Sequence, residues 1–71
     1  MKNEMKILLN NREETIHKDT ITLAELIIHK NFTFKLLVTK VNGSLVKKDQ
    51  RAEIIIRDGD EVNVLHMISG G

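Results

Sequence analysis

Side chains able to carry out chemistry are sparse in this sequence. His17, His29 and His66 stand alone, with no H-x-H or H-x-x-x-H pair to hold a metal or relay a proton. Cysteine is absent, which removes disulfides, thiolate metal ligands and a thiol nucleophile. Asp58-Gly59-Asp60 could open a calcium loop, but the further ligands and the closing Glu are missing, so it reads as a turn. Asn31-Phe32-Thr33 and Asn42-Gly43-Ser44 match the glycosylation pattern, and without a secretion signal they read as chance. Lys47, Lys48 and Arg51 read as a solvated basic turn.

What remains is Gly70-Gly71, at the end of the sequence. Two residues without Cβ atoms can pass through a narrow channel into a partner's active site. A free α-carboxylate is a poor electrophile and requires activation, for instance adenylation, before sulfur or an amine can attack it. With no cysteine in the chain, carried sulfur could not be a side-chain persulfide, but it could sit on the terminal carboxyl carbon as a thiocarboxylate.

The rest of the chain must position that end. Its 71 residues make one domain, residues 1–71, with a flexible tail over about 68–71, and leave no room for a second domain. A chain of this size has a thin core, which argues against a deep substrate cleft of its own. Hydrophobic residues at 41% and charged residues at 30% indicate a folded domain. The net charge is +1 with the two signs interleaved, and only Phe32 and Phe34 are aromatic. That excludes the basic stripe and stacking platform of a nucleic-acid binder. No apolar run exceeds three residues, against the ~20 of a membrane span and the ~7–15 of a signal peptide. A cytoplasmic protein is expected, with no nucleic-acid or membrane partner.

Met5, Ile7 and Leu9 share one face of a strand, and Asn10-Asn11 turns the chain into a second strand over Glu14–Lys18. Thr22-Leu23-Ala24-Glu25 is a capping box, flanked by Ile21 and Leu26 as a hydrophobic staple. The helix runs from Leu23 to about Lys30, with Leu23, Leu26, Ile27 and Lys30 on its inner stripe and Ile28 at the edge. Asn31 serves as a left-handed stop. Leu36–Val41 and Ser44–Lys47 form a hairpin around Asn42-Gly43. Residues 48–53 make a polar turn, and Glu61–Met67 is the last strand. This order predicts an α+β roll with the helix across one sheet face and the strands around Ile7 and Val64 as parallel neighbours. In the last strand, Val62 and Val64 oppose Asn63, Leu65 and Met67. Leu65 and Met67 then face solvent, either as singly exposed apolar residues or as a docking patch in which Met repacks readily.

Taken in order, Ile7-Leu8-Leu9-Asn10, Thr22-Leu23-Ala24-Glu25-Leu26, Val41-Asn42-Gly43-Ser44-Leu45-Val46, Arg57-Asp58-Gly59-Asp60-Glu61-Val62 and Ser69-Gly70-Gly71 resemble the ThiS-like thiamine-biosynthesis sulfur carriers. These are members of the ubiquitin-like β-grasp superfamily, and the resemblance spans essentially the whole chain. It implies a mixed four- to five-stranded sheet with one main helix across one face. It also implies a protein co-substrate rather than an enzyme. The carboxylate matching Gly71 would be adenylated by an E1-like adenylating enzyme using ATP. It would then be converted to a thiocarboxylate with sulfur drawn from cysteine through a cysteine desulfurase or an equivalent donor. The sulfur would pass to thiazole synthase. Gly70 and Gly71 carry over as the functional terminus, and Leu65, Met67, Ile68 and Ser69 as partner-docking residues. No metal and no cofactor bound by the chain itself are implied. The sequence departs from the family pattern at Asn10-Asn11, where Asn-Gly is frequent, at Lys47, where Pro is frequent, and at Ser69.

Three other readings compete. A molybdopterin-type sulfur carrier shares the fold but tends to be longer, with a more apolar approach to the tail. A ubiquitin-like protein modifier also uses an activated Gly-Gly end. A β-grasp RNA-binding or regulatory module needs no such end and would show a basic or aromatic face.

Overall fold

The computed structural model describes residues 3–32 and 36–67. Its strands are β1 (Met5–Leu9), β2 (Arg12–Ile16), β3 (Ile21–Thr22), β4 (Leu37–Val41), β5 (Ser44–Val46), β6 (Ile55–Ile56) and β7 (Glu61–His66). The helix α1 covers Leu23–His29, and Lys48–Gln50 form a 3₁₀ turn. The main sheet has the order β2-β1-β7-β4-β5, and β3 pairs with β6 in a second, two-stranded sheet. β1 and β7 are parallel, with Leu8 opposite Glu61 and Leu9 opposite Val62. All other pairings are antiparallel. A mixed five-stranded sheet carrying one helix is the α+β, ubiquitin-like β-grasp arrangement.

Alternation builds the inner face of the sheet. Met5, Ile7 and Leu9 of β1, Ile16 of β2, Val62 and Val64 of β7 and Val46 of β5 are buried with Leu23 and Leu26 of α1. Burying a Leu or Ile side chain stabilises by about 1.5–3 kcal/mol, so these residues supply most of the driving force. Lys30, at the end of the helix stripe, pairs instead with Glu14 of β2 at 3.0 Å. Ile28 is 77% exposed, off the core rather than at its edge.

The helix is capped at both ends. The Glu25 N–H donates to Thr22 Oγ1, and the Thr22 N–H donates to Glu25 Oε1, each at 3.0 Å. At the other end, Asn31 has φ 60. The Asn31 N–H donates to the Ile28 carbonyl and the Phe32 N–H to the Ile27 carbonyl. These bonds satisfy two of the last-turn carbonyls, and the side chains of Ile27 and Phe32 each pack against the core.

Two expectations about the elements require correction, and one pairing carries no signal in the sequence. Asn10 and Asn11 both adopt positive φ, 51 and 65, giving a two-residue hairpin turn, so the second strand starts at Arg12 rather than Glu14. The β3–β6 pair leaves no mark on the sequence, because two residues per strand are too few to show a period. Arg51 is not a solvated cation. Its Nη2 donates to the Leu37 carbonyl at 2.7 Å and its Nε to Thr39 Oγ1 at 3.2 Å. Among the described residues, no helix is long and apolar enough to cross a membrane.

Candidate functional site

β7 lies at the centre of the sheet and leads toward the C-terminal residues. It is fixed by β1 on one side and β4 on the other. Turn side chains add to both sides. Asn42, with φ 50, accepts the Glu61 N–H on Oδ1 at 2.9 Å and donates through Nδ2 to Asp60 at 3.1 Å. Asn10 bonds both backbone groups of Val64. The Asp58-Gly59-Asp60 turn is structural: Asp58 accepts the Lys6 N–H at 2.7 Å and Asp60 accepts the Arg57 N–H at 2.9 Å.

The two faces of β7 differ. Val62 and Val64 are buried, whereas Leu65 is 48% and Met67 50% exposed. Across the sheet, Val38 is the register partner of Leu65, and the Met67 N–H donates to the Leu36 carbonyl at 3.0 Å. Lys40 pairs with both Asn63 and Leu45. Leu36, Leu45, Leu65 and Met67 are thus exposed, with half-buried Val38, on the face opposite the helix. Ile68, Ser69, Gly70 and Gly71 lie outside the described residues, so the expected terminus and half of the expected docking set have no geometry to report.

Reading the sequence singles out Leu65 and Met67 but misses Leu36, Val38 and Leu45. The signal for them is the Asn42-Gly43 turn. A two-residue turn fixes Val41 opposite Ser44 and Lys40 opposite Leu45. Alternation then places residues 36, 38, 40 and 45 on one face.

No catalytic constellation appears among the described residues. No group of three His, Cys, Asp or Glu could hold a metal there. Every buried side-chain nitrogen or oxygen in that set has a hydrogen-bond partner, so none is held ready for a ligand. Two open depressions, one at Lys6, Leu8 and Glu13 and the other at Lys18, Glu25, Ile28 and His29, bring no nucleophile beside a base. What the site offers is an apolar sheet face at the base of the segment carrying the glycines.

The profile of a family described as the ThiS family matches residues 3–71. The sulfur carrier protein ThiS of Bacillus subtilis (strain 168) is 25% identical over 63 residues, covering 89% of this chain and 96% of that protein. Among solved structures, the thiamine biosynthesis protein ThiS from Geobacter metallireducens superposes with a TM-score of 0.84 at 20% identity. That match covers 94% of this chain and all of the other, and it supports the fold.

Proposed function

This chain belongs to the ThiS family, and from that premise we propose that it is a sulfur carrier for thiazole formation in thiamine biosynthesis. The group that carries the sulfur is the carboxylate of Gly71. An E1-like adenylating enzyme brings this carboxylate against the α-phosphate of ATP, and pyrophosphate leaves as the acyl adenylate forms. The outer sulfur of a persulfide, formed from cysteine on a desulfurase or equivalent donor, attacks the same carbon and displaces AMP, and a thiol reductant then splits the acyl disulfide to leave the thiocarboxylate. The thiocarboxylate then delivers its sulfur to thiazole synthase. The chain is a co-substrate in this sequence of reactions.

The observation that carries the reading is the family match, which runs the length of the fold and through Gly70-Gly71. Two features of the chain are consistent with it. The chain has no cysteine on which sulfur could ride. The exposed Leu65 and Met67 offer an adenylating enzyme a grip beside the segment it must receive. Ile68 and Ser69 would extend that grip toward the glycines.

The test is to lengthen the chain. Activation requires the carboxylate in a closed site, where a misplacement of ~1 Å can cost about 100-fold in rate. One residue added after Gly71 should abolish ATP-dependent pyrophosphate release and leave thermal unfolding unchanged. Gly70→Ala should slow release, because a Cβ crowds the channel. An extended variant activated at the normal rate would remove Gly71 from the chemistry.

A further inference from the structure

β1 stops pairing with β7 before β7 ends. The parallel ladder is regular up to this point: the Leu8 N–H donates to the Asp60 carbonyl at 3.0 Å and the Asn10 N–H to the Val62 carbonyl at 2.9 Å. The chain then turns away through Asn10 and Asn11. In a regular continuation the Val64 N–H would meet the Asn10 main-chain carbonyl, and the Val64 carbonyl would meet an N–H two residues on, beyond the turn. The Asn10 side chain replaces both. Its Oδ1 accepts the Val64 N–H at 2.8 Å, and its Nδ2 donates to the Val64 carbonyl at 3.1 Å.

The other edge is finished in the same way. β5 ends at Val46, and the Leu37 carbonyl of β4 is taken by Arg51 at 2.7 Å. Among the described residues, the ends of β4 and β7 therefore project past their neighbours as a two-stranded ribbon, with Asn10 bracing one outer edge and Arg51 the other. Unbraced two-stranded ribbons are marginally stable in water. This ribbon carries Leu65 and leads to the glycines, with Val64 seven positions before Gly71.

We propose that Asn10 is a positioning residue for activation of the C-terminus: by bridging Val64 it fixes the direction in which the chain leaves β7. The inference rests on the reading of Gly71 as the reacting end. Asn10 contacts neither ATP nor the reacting carbon. Without its amide, the enzyme can still grip the apolar face, but the terminus is delivered in more directions. The loss then falls on turnover at saturating carrier rather than on KM.

Asn42 supplies a matched control, because it also sits in a turn at positive φ and also bonds β7, but at Glu61, the end far from the glycines. Asn10→Gly and Asn42→Gly both keep a residue that tolerates the turn and remove the side-chain bridge. Asn10→Asp gives a second disruption of the same bridge, keeping one acceptor and placing a carboxylate oxygen against the Val64 carbonyl. Each variant is assayed with the adenylating enzyme and ATP, by pyrophosphate release, at a temperature where circular dichroism shows it folded. Asn10→Gly and Asn10→Asp should lower kcat about tenfold or more, with KM changed less, while Asn42→Gly keeps kcat near wild type at a similar loss of Tm. Wild-type kcat in the Asn10 variants, or equal kcat losses in Asn10→Gly and Asn42→Gly, would overturn the positioning role alone. A wild-type chain that releases no pyrophosphate would overturn the sulfur-carrier reading, and this inference with it.

Discussion

The helix side and the projecting β4–β7 ribbon both have backbone groups that the regular ladder leaves unpaired, and they satisfy them differently. At α1 the local sequence does it, through the Thr22–Glu25 box and the turn at Asn31. The first helical N–H groups, of Leu23 and Ala24, reach the carbonyls of Ile54 and Arg51. The inner face of the helix is then sealed, with Leu23 and Leu26 fully buried. At the ribbon, side chains distant in sequence stand in for missing strands, and the apolar outer face is left in water. One region holds the fold together and the other presents a surface, so substitutions in the two should have separable consequences.

The largest effect on stability belongs to the helix side. Leu26→Ala should cost about 2–5 kcal/mol, because removing a fully buried Leu leaves a cavity that its surroundings only partly fill. Urea unfolding measures this, and the fraction still folded should bind the adenylating enzyme normally. Met67→Asp should do the reverse, weakening the complex by about 1–2 kcal/mol, roughly 5- to 30-fold in Kd, with Tm nearly unchanged. A large loss of Tm with normal binding would make Met67 a core residue and erase the contrast between the regions.

The smallest effect sharpens the comparison at the helix cap. Thr22→Ala should cost about 1 kcal/mol in urea unfolding and leave activation intact. The Glu25 carboxyl is held below its ordinary value of 4.5, first by the Thr22 N–H and then by the Thr22 hydroxyl. A carboxylate with a depressed folded pKa stabilises above its unfolded value, and the contribution disappears as pH falls through the folded value. The stability gap between wild type and Glu25→Gln should therefore be fully open at neutral pH and close progressively below 4.5.

The same contrast explains how much of the molecule can be read from its sequence. Met5-x-Ile7-x-Leu9, Thr22-x-x-Glu25 and Asn42-Gly43 are local signals, and they predict β1, the start of α1 and the second hairpin. The parallel pairing of β1 with β7 follows from element order. What escapes reading is carried by long-range contacts between short segments. β3 and β6 meet across more than thirty residues with two residues each. Arg51 reads as part of a basic cluster because its partners, Leu37 and Thr39, are set only by the tertiary fold. At the candidate site, Leu65 and Met67 are legible from alternation in one strand. Leu36, Val38 and Leu45 are not, because they join that face only through hairpin register. The role given to Gly70 and Gly71 comes from motif order and family membership.

The central claim, that the Gly71 carboxylate carries sulfur, is tested most directly by intact mass. The protein is incubated with its adenylating enzyme, ATP, cysteine, a desulfurase and a thiol reductant such as dithiothreitol, then weighed whole. Exchange of one oxygen for one sulfur, located at the C-terminal glycine by fragmentation, is the predicted result. A chain that stops at the adenylate under these conditions, and is recovered from cells joined to lysines of other proteins, would contradict the sulfur-carrier account and identify a protein modifier.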